Sequence, residues 1–298
     1  MTSRLDPSRV VSRTAVTTTS GRFRTVYSSS GPIDPKKPTL ALINSFATSV
    51  DLYATELNDQ DLCAAFNLVA VGLLGHEEEA QMLDRADSYT FYDQADLIID
   101  VMETLGVEQY YLLGTSQGGF IAMRAAVRAP KRVLGVIGAG TGFRGEGQFN
   151  QFFRDILTEL HGAKEGVHPP KAFLDWLIPL GWGDDAPKEV QDFWRQSCIE
   201  RYSGAAGGRR LFGALTELLE RDPMDARLLD FQCPLWVIHG ERDVGLLWQE
   251  VKTDFDMRVP DCLDKRWELV PGGAHFLTQS RFEACKKVIL EAHAAWVK

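Results

Sequence analysis

The sequence predicts an α/β protein with a mostly parallel β-sheet whose two faces are covered by helices. Short apolar runs recur along the chain with helical patterns between them, and each run is apolar throughout, as strands buried on both faces are. Residues 141–229 interrupt this alternation, because they contain no convincing strand pattern. We therefore predict a sheet domain formed by residues 1–140 and 230–298, with residues 141–229 (the insertion) forming a helical lid.

The composition is that of a globular protein and excludes several classes of function. A chain of 298 residues suits one large domain, or one domain with an insertion. Hydrophobic residues make up 45% and charged residues 24%, which excludes a disordered or coiled-coil protein. The 32 Lys and Arg against 41 Asp and Glu give a net charge of −9, and this acidic balance argues against binding to nucleic acid.

The N-terminal residues and the cysteines bear on where the protein is located. Val11 and Thr17–Thr19 are β-branched, and Ser20-Gly21 is typical of a turn into Arg22–Tyr27, so we predict a β-hairpin rather than a targeting peptide. The longest strongly apolar run, Leu68–Leu74, is far shorter than the roughly 20 residues of a membrane span. The cysteines form no Cys-x-x-Cys pair, which favours reduced thiols. We therefore expect a cytoplasmic protein without a membrane span.

The remaining elements follow from the apolar patterns in chain order. Before the insertion the predicted elements are the strand Thr39–Ile43, the helix Leu52–Phe66, the strand Leu68–Leu74, the helix Phe91–Leu105, the strand Tyr110–Leu113, the helix Gly118–Ala129 and the strand Val133–Ile137. After it they are the strand Pro234–Ile238, the helix Leu247–Phe255, the strand Trp267–Val270 and the helix Phe282–Trp296.

The insertion is predicted to be helical and rich in aromatic residues. Two apolar stripes have the spacing of one helix face, the first at Phe149, Phe152, Phe153, Ile156, Leu157 and Leu160 and the second at Leu211, Phe212, Leu215, Leu218 and Leu219. Gly204–Gly208 predicts a hinge or a plain loop between helices. Phe153 and Trp176 are candidates to line a substrate pocket, with ordinary packing inside the insertion as the alternative.

The clearest chemical motif is Gly114-Thr115-Ser116-Gln117-Gly118, which has the pattern G-x-S-x-G. It follows a predicted strand and precedes a predicted helix, the context in which this pattern forms a nucleophile elbow. Such a turn is so sharp that its serine adopts a strained backbone conformation, and the flanking glycines avoid clashes. We therefore predict that the Ser116 hydroxyl projects from the C-terminal end of its strand as a nucleophile.

A serine hydroxyl is a weak nucleophile and needs a base, which is in turn oriented by a carboxylate. His275 lies between the last predicted strand and the last helix, and Asp243 follows the strand Pro234–Ile238 in a Gly-x-x-Asp turn. An ordinary loop aspartate or a helix cap is the alternative for Asp243, and His239 at the end of that strand is expected to pack. The chain order Ser116, Asp243, His275 differs from the orders in chymotrypsin and subtilisin.

With these motifs the sequence resembles the α/β-hydrolase superfamily, in its lidded esterase- and lactonase-like branch, from about Thr39 to Trp296. The resemblance implies an eight-stranded, mostly parallel sheet with a helical lid inserted after the sixth strand. It also implies that Ser116 is the nucleophile, His275 the base and Asp243 the acid. By the same resemblance, the backbone N–H of Gln117 forms half of the oxyanion hole.

Two segments depart from the family pattern. Asn44-Ser45-Phe46-Ala47 stands where the family has His-Gly-x-Gly, and Phe46 matches the residue that gives the second oxyanion N–H. Ser45 replaces a glycine there, and we expect it to be a tolerated filler rather than an additional donor. The segment Gly72–Glu77 lacks the first Asp and the last Gly of Asp-x-x-Gly-His-Gly. We interpret His76–Glu79 as a solvated acidic loop rather than a metal site.

The sequence thus predicts a serine hydrolase that needs neither a cofactor nor a metal. No P-loop is present, and Gly138–Phe143 lacks the acidic residue of a dinucleotide fingerprint. The predicted reaction is hydrolysis of a carboxylic ester or lactone of a small, largely hydrophobic substrate through a Ser116 acyl-enzyme. Acyl transfer, lactone-forming cyclisation and C–C bond hydrolysis are alternatives on the same residues, as is a small-molecule receptor that retains them. The sequence leaves the oligomeric state open.

Overall fold

The computed structural model describes residues 11–16, 21–83, 89–145, 150–162, 168–224, 226–261 and 263–297. Ser20 of the turn that we predicted at Ser20-Gly21 lies outside these ranges, as do Thr17–Thr19 and Phe149. In chain order, the strands are β1 (Val11–Val16), β2 (Phe23–Ser29), β3 (Thr39–Ile43), β4 (Asn67–Val71), β5 (Gln81–Met82), β6 (Tyr110–Thr115), β7 (Val133–Ala139), β8 (Leu235–Gly240) and β9 (Lys265–Val270).

The α-helices lie between and after these strands. They are α1 (Ala54–Asn58), α2 (Gln60–Ala65), α3 (Phe91–Thr104), α4 (Gln117–Arg128), α5 (Asn150–Gly162), α6 (Lys171–Trp182), α7 (Lys188–Tyr202), α8 (Gly204–Leu219), α9 (Trp248–Arg258), α10 (Leu277–Ser280) and α11 (Phe282–Trp296). Two short 3-10 helices cover Val50–Tyr53 and Arg227–Asp230. Within the described residues, no helix is both long enough and apolar enough to cross a bilayer.

One sheet organises the fold, with the strand order β1-β2-β4-β3-β6-β7-β8-β9. The pairs β1·β2 and β2·β4 are antiparallel, and every later neighbour along this path is parallel. The mostly parallel eight-stranded sheet is therefore confirmed. The additional strand β5 pairs with β2 and was not predicted, since two residues are too few to show a period.

The sheet is buried on both faces, as the continuous apolar runs indicate. In β3, Leu40 and Leu42 belong to the apolar core on one face, and Ala41 and Ile43 to the core on the other. Helices α3 and α4 cover the second face, and α11 contributes to the first. Each large apolar side chain buried in this way stabilises the fold by about 1.5–3 kcal/mol, so these apolar runs favour positions in the interior of the protein.

Two local predictions were wrong. The single helix predicted over Leu52–Phe66 is broken at Asp59, which has an extended backbone and whose side chain accepts hydrogen bonds from the N–H groups of Asp61 and Leu62. Asp59 therefore caps a new helix, α2. The glycine-rich segment Gly204–Gly208 forms the first turns of α8 rather than a hinge or a loop. A Cβ at Gly207 would lie 2.4 Å from the Tyr202 backbone, so this helix start needs a small residue.

The chain leaves the sheet between β7 and β8 for a purely helical stretch, as far as the structure describes it. This part of the insertion contains α5 to α8 and the short 3-10 helix before β8. Helix α8 packs against α5 and α7, and α6 packs against α7 and α10. The helices thus form a group of their own that touches the sheet domain, and their role as a lid stays a prediction.

Candidate active site

Ser116 lies in the sharp turn between β6 and α4. Its backbone has φ 52° and ψ −113°, a conformation that residues other than glycine seldom adopt. Holding a residue in it costs about 1–3 kcal/mol. A Cβ at Gly114 would lie 2.2 Å from the Gly118 carbonyl oxygen, and a Cβ at Gly118 would lie 2.0 Å from the Ile43 carbonyl oxygen. Only glycine fits at either position, and the turn has the geometry expected of a nucleophile elbow.

Ser116, His275 and Asp243 form one hydrogen-bonded chain. The Nε2 of His275 lies 2.7 Å from the Oγ of Ser116, and its Nδ1 lies 2.7 Å from the Oδ2 of Asp243. A carboxylate only accepts hydrogen bonds, so Nδ1 carries the proton and Nε2 is free to accept from the serine hydroxyl. His275 and Asp243 are buried, whereas Ser116 is partly exposed. The structure therefore brings together the three residues that the sequence motifs singled out.

The surroundings of Asp243 hold its carboxylate in one orientation. Its Oδ1 accepts from the N–H groups of Gly245 and Leu246, at 2.8 and 2.9 Å. Burial alone would raise the pKa of Asp243, but the charge of His275 and hydrogen bonds from His239 and His275 outweigh it and lower the pKa. His239 was expected only to pack, yet its Nε2 lies 3.2 Å from the Asp243 Oδ2 and 2.7 Å from the Leu246 carbonyl oxygen.

A pocket opens beside the Ser116 hydroxyl, with about 600 Å³ of open space when its mouth is included. Its wall is mostly apolar and includes Phe153, Trp176, Leu177, Leu180 and Leu218 from the insertion. The rings of Phe153 and Trp176 meet edge to face, with their centroids 5.1 Å apart. A mostly apolar wall with a few polar groups is typical of sites that bind small organic molecules.

Phe46 and Gln117 line this pocket together with Ser116. Gln117 is the first residue of α4, so its N–H has no partner within the helix. In the part of the chain that the structure describes, neither the Phe46 N–H nor the Gln117 N–H donates to a protein acceptor. Two uncommitted backbone donors near a serine nucleophile are the groups that an oxyanion hole requires.

Ser45 also lines the pocket, and its side chain is fully buried. Its Oγ has no hydrogen-bond partner among the described residues. A buried polar group left without a partner costs about 1–3 kcal/mol, a cost that a bound ligand can remove by accepting a hydrogen bond. The position of this hydroxyl favours a donor role over the filler role that we expected.

A buried polar cluster behind the nucleophile turn could not be read from the sequence. The Gln117 side-chain amide donates to the Glu217 carboxyl on α8 at 2.6 Å, and the Gln94 amide on α3 donates to both Glu217 oxygens at 3.1 and 3.2 Å. All three side chains are buried. Burial raises the pKa of Glu217 well above its ordinary value. No local signal marks these residues, because they are far apart in the sequence and polar in otherwise amphipathic helices.

The prediction of a solvated acidic loop was wrong for His76 and Glu77 and is confirmed for Glu78 and Glu79, which are exposed. The Oε1 of Glu77 accepts from the Val50 N–H at 2.9 Å, and burial raises the pKa of Glu77 to about 7. His76 is fully buried, its ring centroid lies 6.2 Å from that of Phe46, and its Nδ1 lies 2.8 Å from the Leu74 carbonyl oxygen. Burial lowers the pKa of His76 to about 4, so this imidazole is neutral. Within the described residues, no group of three His, Cys, Asp or Glu side chains could hold a metal ion.

The sheet order and the serine turn at the end of its central strand define the class of protein. The alpha/beta hydrolase fold family model matches residues 38–278, and the chain belongs to this family. The resemblance inferred from the motifs is thereby confirmed. The protein is an α/β-hydrolase-fold enzyme.

Curated relatives are distant. The putative carbamate hydrolase RutD of Caulobacter sp. (strain K31) is 23% identical over 278 residues, which cover 92% of this chain and 96% of that protein. A shorter match is to the dihydrolipoyllysine-residue acetyltransferase component of the acetoin cleaving system of Cupriavidus necator. It extends over 98 residues, or 33% of this chain, at 33% identity. The chain spans only 25% of that protein's length and 30% of its Pseudomonas putida counterpart, so nothing about their activity transfers.

Solved structures show the same fold at low sequence identity. A thermophilic esterase from Thermogutta terrifontis superposes with a TM-score of 0.79 at 19% identity, covering 97% of this chain and 100% of that chain. An enol-lactonase from Burkholderia xenovorans LB400 superposes with a TM-score of 0.76 at 16% identity, covering 94% of this chain and 98% of that one. These likenesses establish the architecture.

Proposed function

We propose that the protein hydrolyses a carboxylic ester or lactone of a small, largely hydrophobic substrate through an acyl-enzyme on Ser116. The observation that carries this proposal is the hydrogen-bonded chain from Asp243 through His275 to Ser116 at the wall of an apolar pocket. The esterase and the enol-lactonase of the same fold support it, and so does the similarity to a putative carbamate hydrolase.

The geometry accounts for each step of the proposed reaction. The Ser116 Oγ attacks the substrate carbonyl carbon while the His275 Nε2 takes its proton, and Asp243 stabilises the resulting imidazolium. The N–H groups of Phe46 and Gln117 donate to the carbonyl oxygen as it becomes an oxyanion. His275 then protonates the leaving alkoxide, activates a water molecule and returns the proton to Ser116 when the acid is released.

We also propose that α5 to α8 act as a lid that chooses the substrate. Phe153 and Trp176 line the pocket and would contact the acyl or alcohol part of the substrate. The lid also supports the base, because the N–H of His275 donates to the Leu180 carbonyl at 3.3 Å and the N–H of Phe276 to the Gly181 carbonyl at 2.7 Å. A shift of α6 would therefore move the loop that carries His275.

A cytoplasmic location belongs to the proposal as well. Its support is the cysteine usage, since Cys198, Cys233 and Cys285 are buried thiols outside any disulfide. Burial raises the pKa of the Cys198 and Cys233 thiols to about 12, so both stay protonated and unreactive.

The test is to trap the acyl-enzyme. The purified protein is mixed with a panel of aryl esters and lactones, quenched in acid within milliseconds to seconds, and analysed by intact and peptide mass spectrometry. The proposal expects a transient mass increase on the peptide containing Ser116, steady release of acid, and neither in Ser116→Ala. Steady turnover of esters without an adduct on that peptide would refute the assignment. A single adduct that is never released would favour the receptor alternative.

A further inference from the structure

One cation lies in the wall of this mostly apolar pocket. Arg221 follows α8 and lines the same pocket as Ser116 and His275. Among the described residues of this wall, Arg221 is the only one of the four charged types Lys, Arg, Asp and Glu. A charged side chain in a pocket of this kind usually fixes the orientation of a ligand rather than adding apolar contact.

The guanidinium of Arg221 is held by neutral groups and retains unused donors. Its Nε donates to the Arg144 carbonyl oxygen at 3.1 Å, and its Nη1 donates to the Leu218 carbonyl oxygen. The guanidinium carbon lies 5.0 Å from the centroid of the Phe120 ring, which fixes the plane of the group. In the described part of the chain, no carboxylate pairs with Arg221 and no acceptor faces its Nη2.

Three carboxylates near Arg221 in the described part of the chain pair with other arginines. Arg144 holds Glu250 at 2.8 Å and Asp254 at 2.6 Å, while Asp222 pairs with the fully buried Arg124 at 2.7 Å. Burial and the like charge of Arg124 lower the pKa of Arg221 to about 10, so the side chain remains protonated at neutral pH. A cation that is partly withdrawn from water and lacks a counter-ion is a favourable partner for an anion.

Arg221 also marks the border between two environments. A second pocket, lined in part by Glu250 and Asp254, shares Phe120, Arg221 and Leu246 with the pocket beside Ser116. A substrate could therefore place its apolar part beside Phe153 and Trp176 and direct a charged end toward this border. The apolar wall and the cation would each recognise one part of the same molecule.

We propose that Arg221 binds a carboxylate of the substrate, so that the preferred substrates are esters or lactones that carry a carboxylate in addition to the bond to be cleaved. This inference rests on the proposed function and narrows its substrate class. The planar guanidinium matches the two oxygens of a carboxylate, and a single cation balances one negative charge. A phosphate dianion would need further cations that the described wall does not offer.

The test compares an anionic ester, the p-nitrophenyl monoester of glutaric acid, with a neutral one in which the free carboxylate is a methyl ester, the p-nitrophenyl ester of monomethyl glutarate. Release of p-nitrophenol is measured for both, so hydrolysis of the methyl ester is not counted. The wild-type enzyme should show a higher kcat/KM for the anionic ester. Arg221→Met keeps an apolar stem and removes the charge, and should lower kcat/KM for the anionic ester by roughly 10- to 100-fold, mainly through KM. The kcat/KM for the neutral ester should fall by less than about 3-fold, because the neutral ester has no charge for Arg221 to bind.

A charge-matched control separates local binding from net charge. Arg128→Met removes an exposed arginine at the end of α4 that pairs with Asp96 on α3 and does not line the pocket, and it should leave the preference between the two esters unchanged. Inhibition of the wild-type enzyme tests the same inference without a variant, in case Arg221→Met does not fold. The anion 5-phenylpentanoate should inhibit hydrolysis of the neutral ester at least about 10-fold more tightly than its primary amide does.

The outcomes distinguish the inference from the proposed function. Equal kcat/KM for both esters, with no difference between the carboxylate and amide inhibitors, would overturn the role of Arg221 while ester hydrolysis stands. A stronger preference for a phosphate-bearing ester would also overturn it. Absence of both hydrolysis and a Ser116 adduct would instead refute the proposed function.

Discussion

The side-chain amide of Gln117 and the carboxyl group of Glu217 are joined by a hydrogen bond of 2.6 Å across 100 residues of sequence. In the proposed mechanism Gln117 provides an oxyanion donor through its backbone, and Glu217 belongs to α8 of the insertion. A buried polar contact thus links the proposed lid to the turn that carries Ser116. Such a link restrains both elements, because each of its groups would be costly to bury alone.

Glu217→Ala should loosen this link. The Gln117 amide would lose its acceptor in a buried site, whereas the Gln94 amide would keep only its hydrogen bond to the Leu74 carbonyl oxygen. The free energy of unfolding should therefore fall by about 1–3 kcal/mol for each N–H left without a partner. If the link also positions the oxyanion donor, kcat should fall by roughly 10-fold with little change in KM.

Thermal unfolding and ester kinetics measure these two effects, with Glu220→Ala as the control at the exposed end of the same helix. Glu217→Gln keeps an acceptor oxygen and should restore most of the stability. A kcat that stays at the wild-type level in a destabilised Glu217→Ala would limit Glu217 to a structural role.

The three proposed catalytic residues should behave as one unit. Ser116→Ala and His275→Ala should each lower kcat by a factor on the order of 10⁵ to 10⁶, and the double variant should be hardly slower than either. Asp243→Asn should leave folding intact and lower kcat by about 10⁴, because the imidazole would adopt the wrong tautomer. The exposed Asp256 on α9 provides the control variant Asp256→Asn. Wild-type rates in Asp243→Asn would mean that another carboxylate is the acid.

Ser45→Ala tests whether the buried hydroxyl serves the oxyanion. The Ser45 Oγ lies in the pocket wall without a protein partner among the described residues, so we expect its loss to lower kcat by roughly 10²-fold, as loss of an oxyanion donor does. Steady-state kinetics with an activated aryl ester measures the change. Thr48→Val in the same loop, away from the pocket wall, reports the effect of disturbing the loop itself. A loss of only a few-fold in Ser45→Ala would make Ser45 a filler after all.

Glu56 should make stability depend on pH. Its side chain is fully buried, both carboxyl oxygens lack partners in the described residues, and burial raises its pKa well above the ordinary value. A raised folded-state pKa stabilises the fold below the unfolded-state pKa of about 4.3, and this contribution is lost as the pH rises through the folded-state pKa.

Glu56→Gln does not titrate, so its melting temperature relative to the wild type should rise between pH 5 and pH 8. Each pKa unit of difference between folded and unfolded states corresponds to about 1.4 kcal/mol. Scanning calorimetry at several pH values measures the trend, with the exposed Glu189→Gln as the control. Parallel pH profiles for wild type and Glu56→Gln would contradict the prediction.

The sequence by itself determined the sheet and the positions of the candidate catalytic residues. Interior parallel strands are continuous apolar runs, and this signal is local, so the bounds of strands such as Thr39–Ile43 and of the helix Phe91–Leu105 agree with the structure to within a few residues. The turn at Ser116 was also readable, because steric limits on its backbone require glycines at fixed spacing. Where a capping side chain interrupts a helical pattern, as Asp59 does, the local signal was insufficient.

Only the tertiary structure decided which polar residues come together. His239 meets Asp243 across a turn, Glu217 reaches Gln117 from another part of the chain, and Arg221 lines the pocket while nearby carboxylates pair with other arginines. His76 is buried although Glu78 and Glu79, which follow it closely in the sequence, are exposed. The reason is physical: the burial of a polar group, the partners that satisfy it and the pKa that results depend on residues brought near by packing, and a one-dimensional pattern carries no record of them.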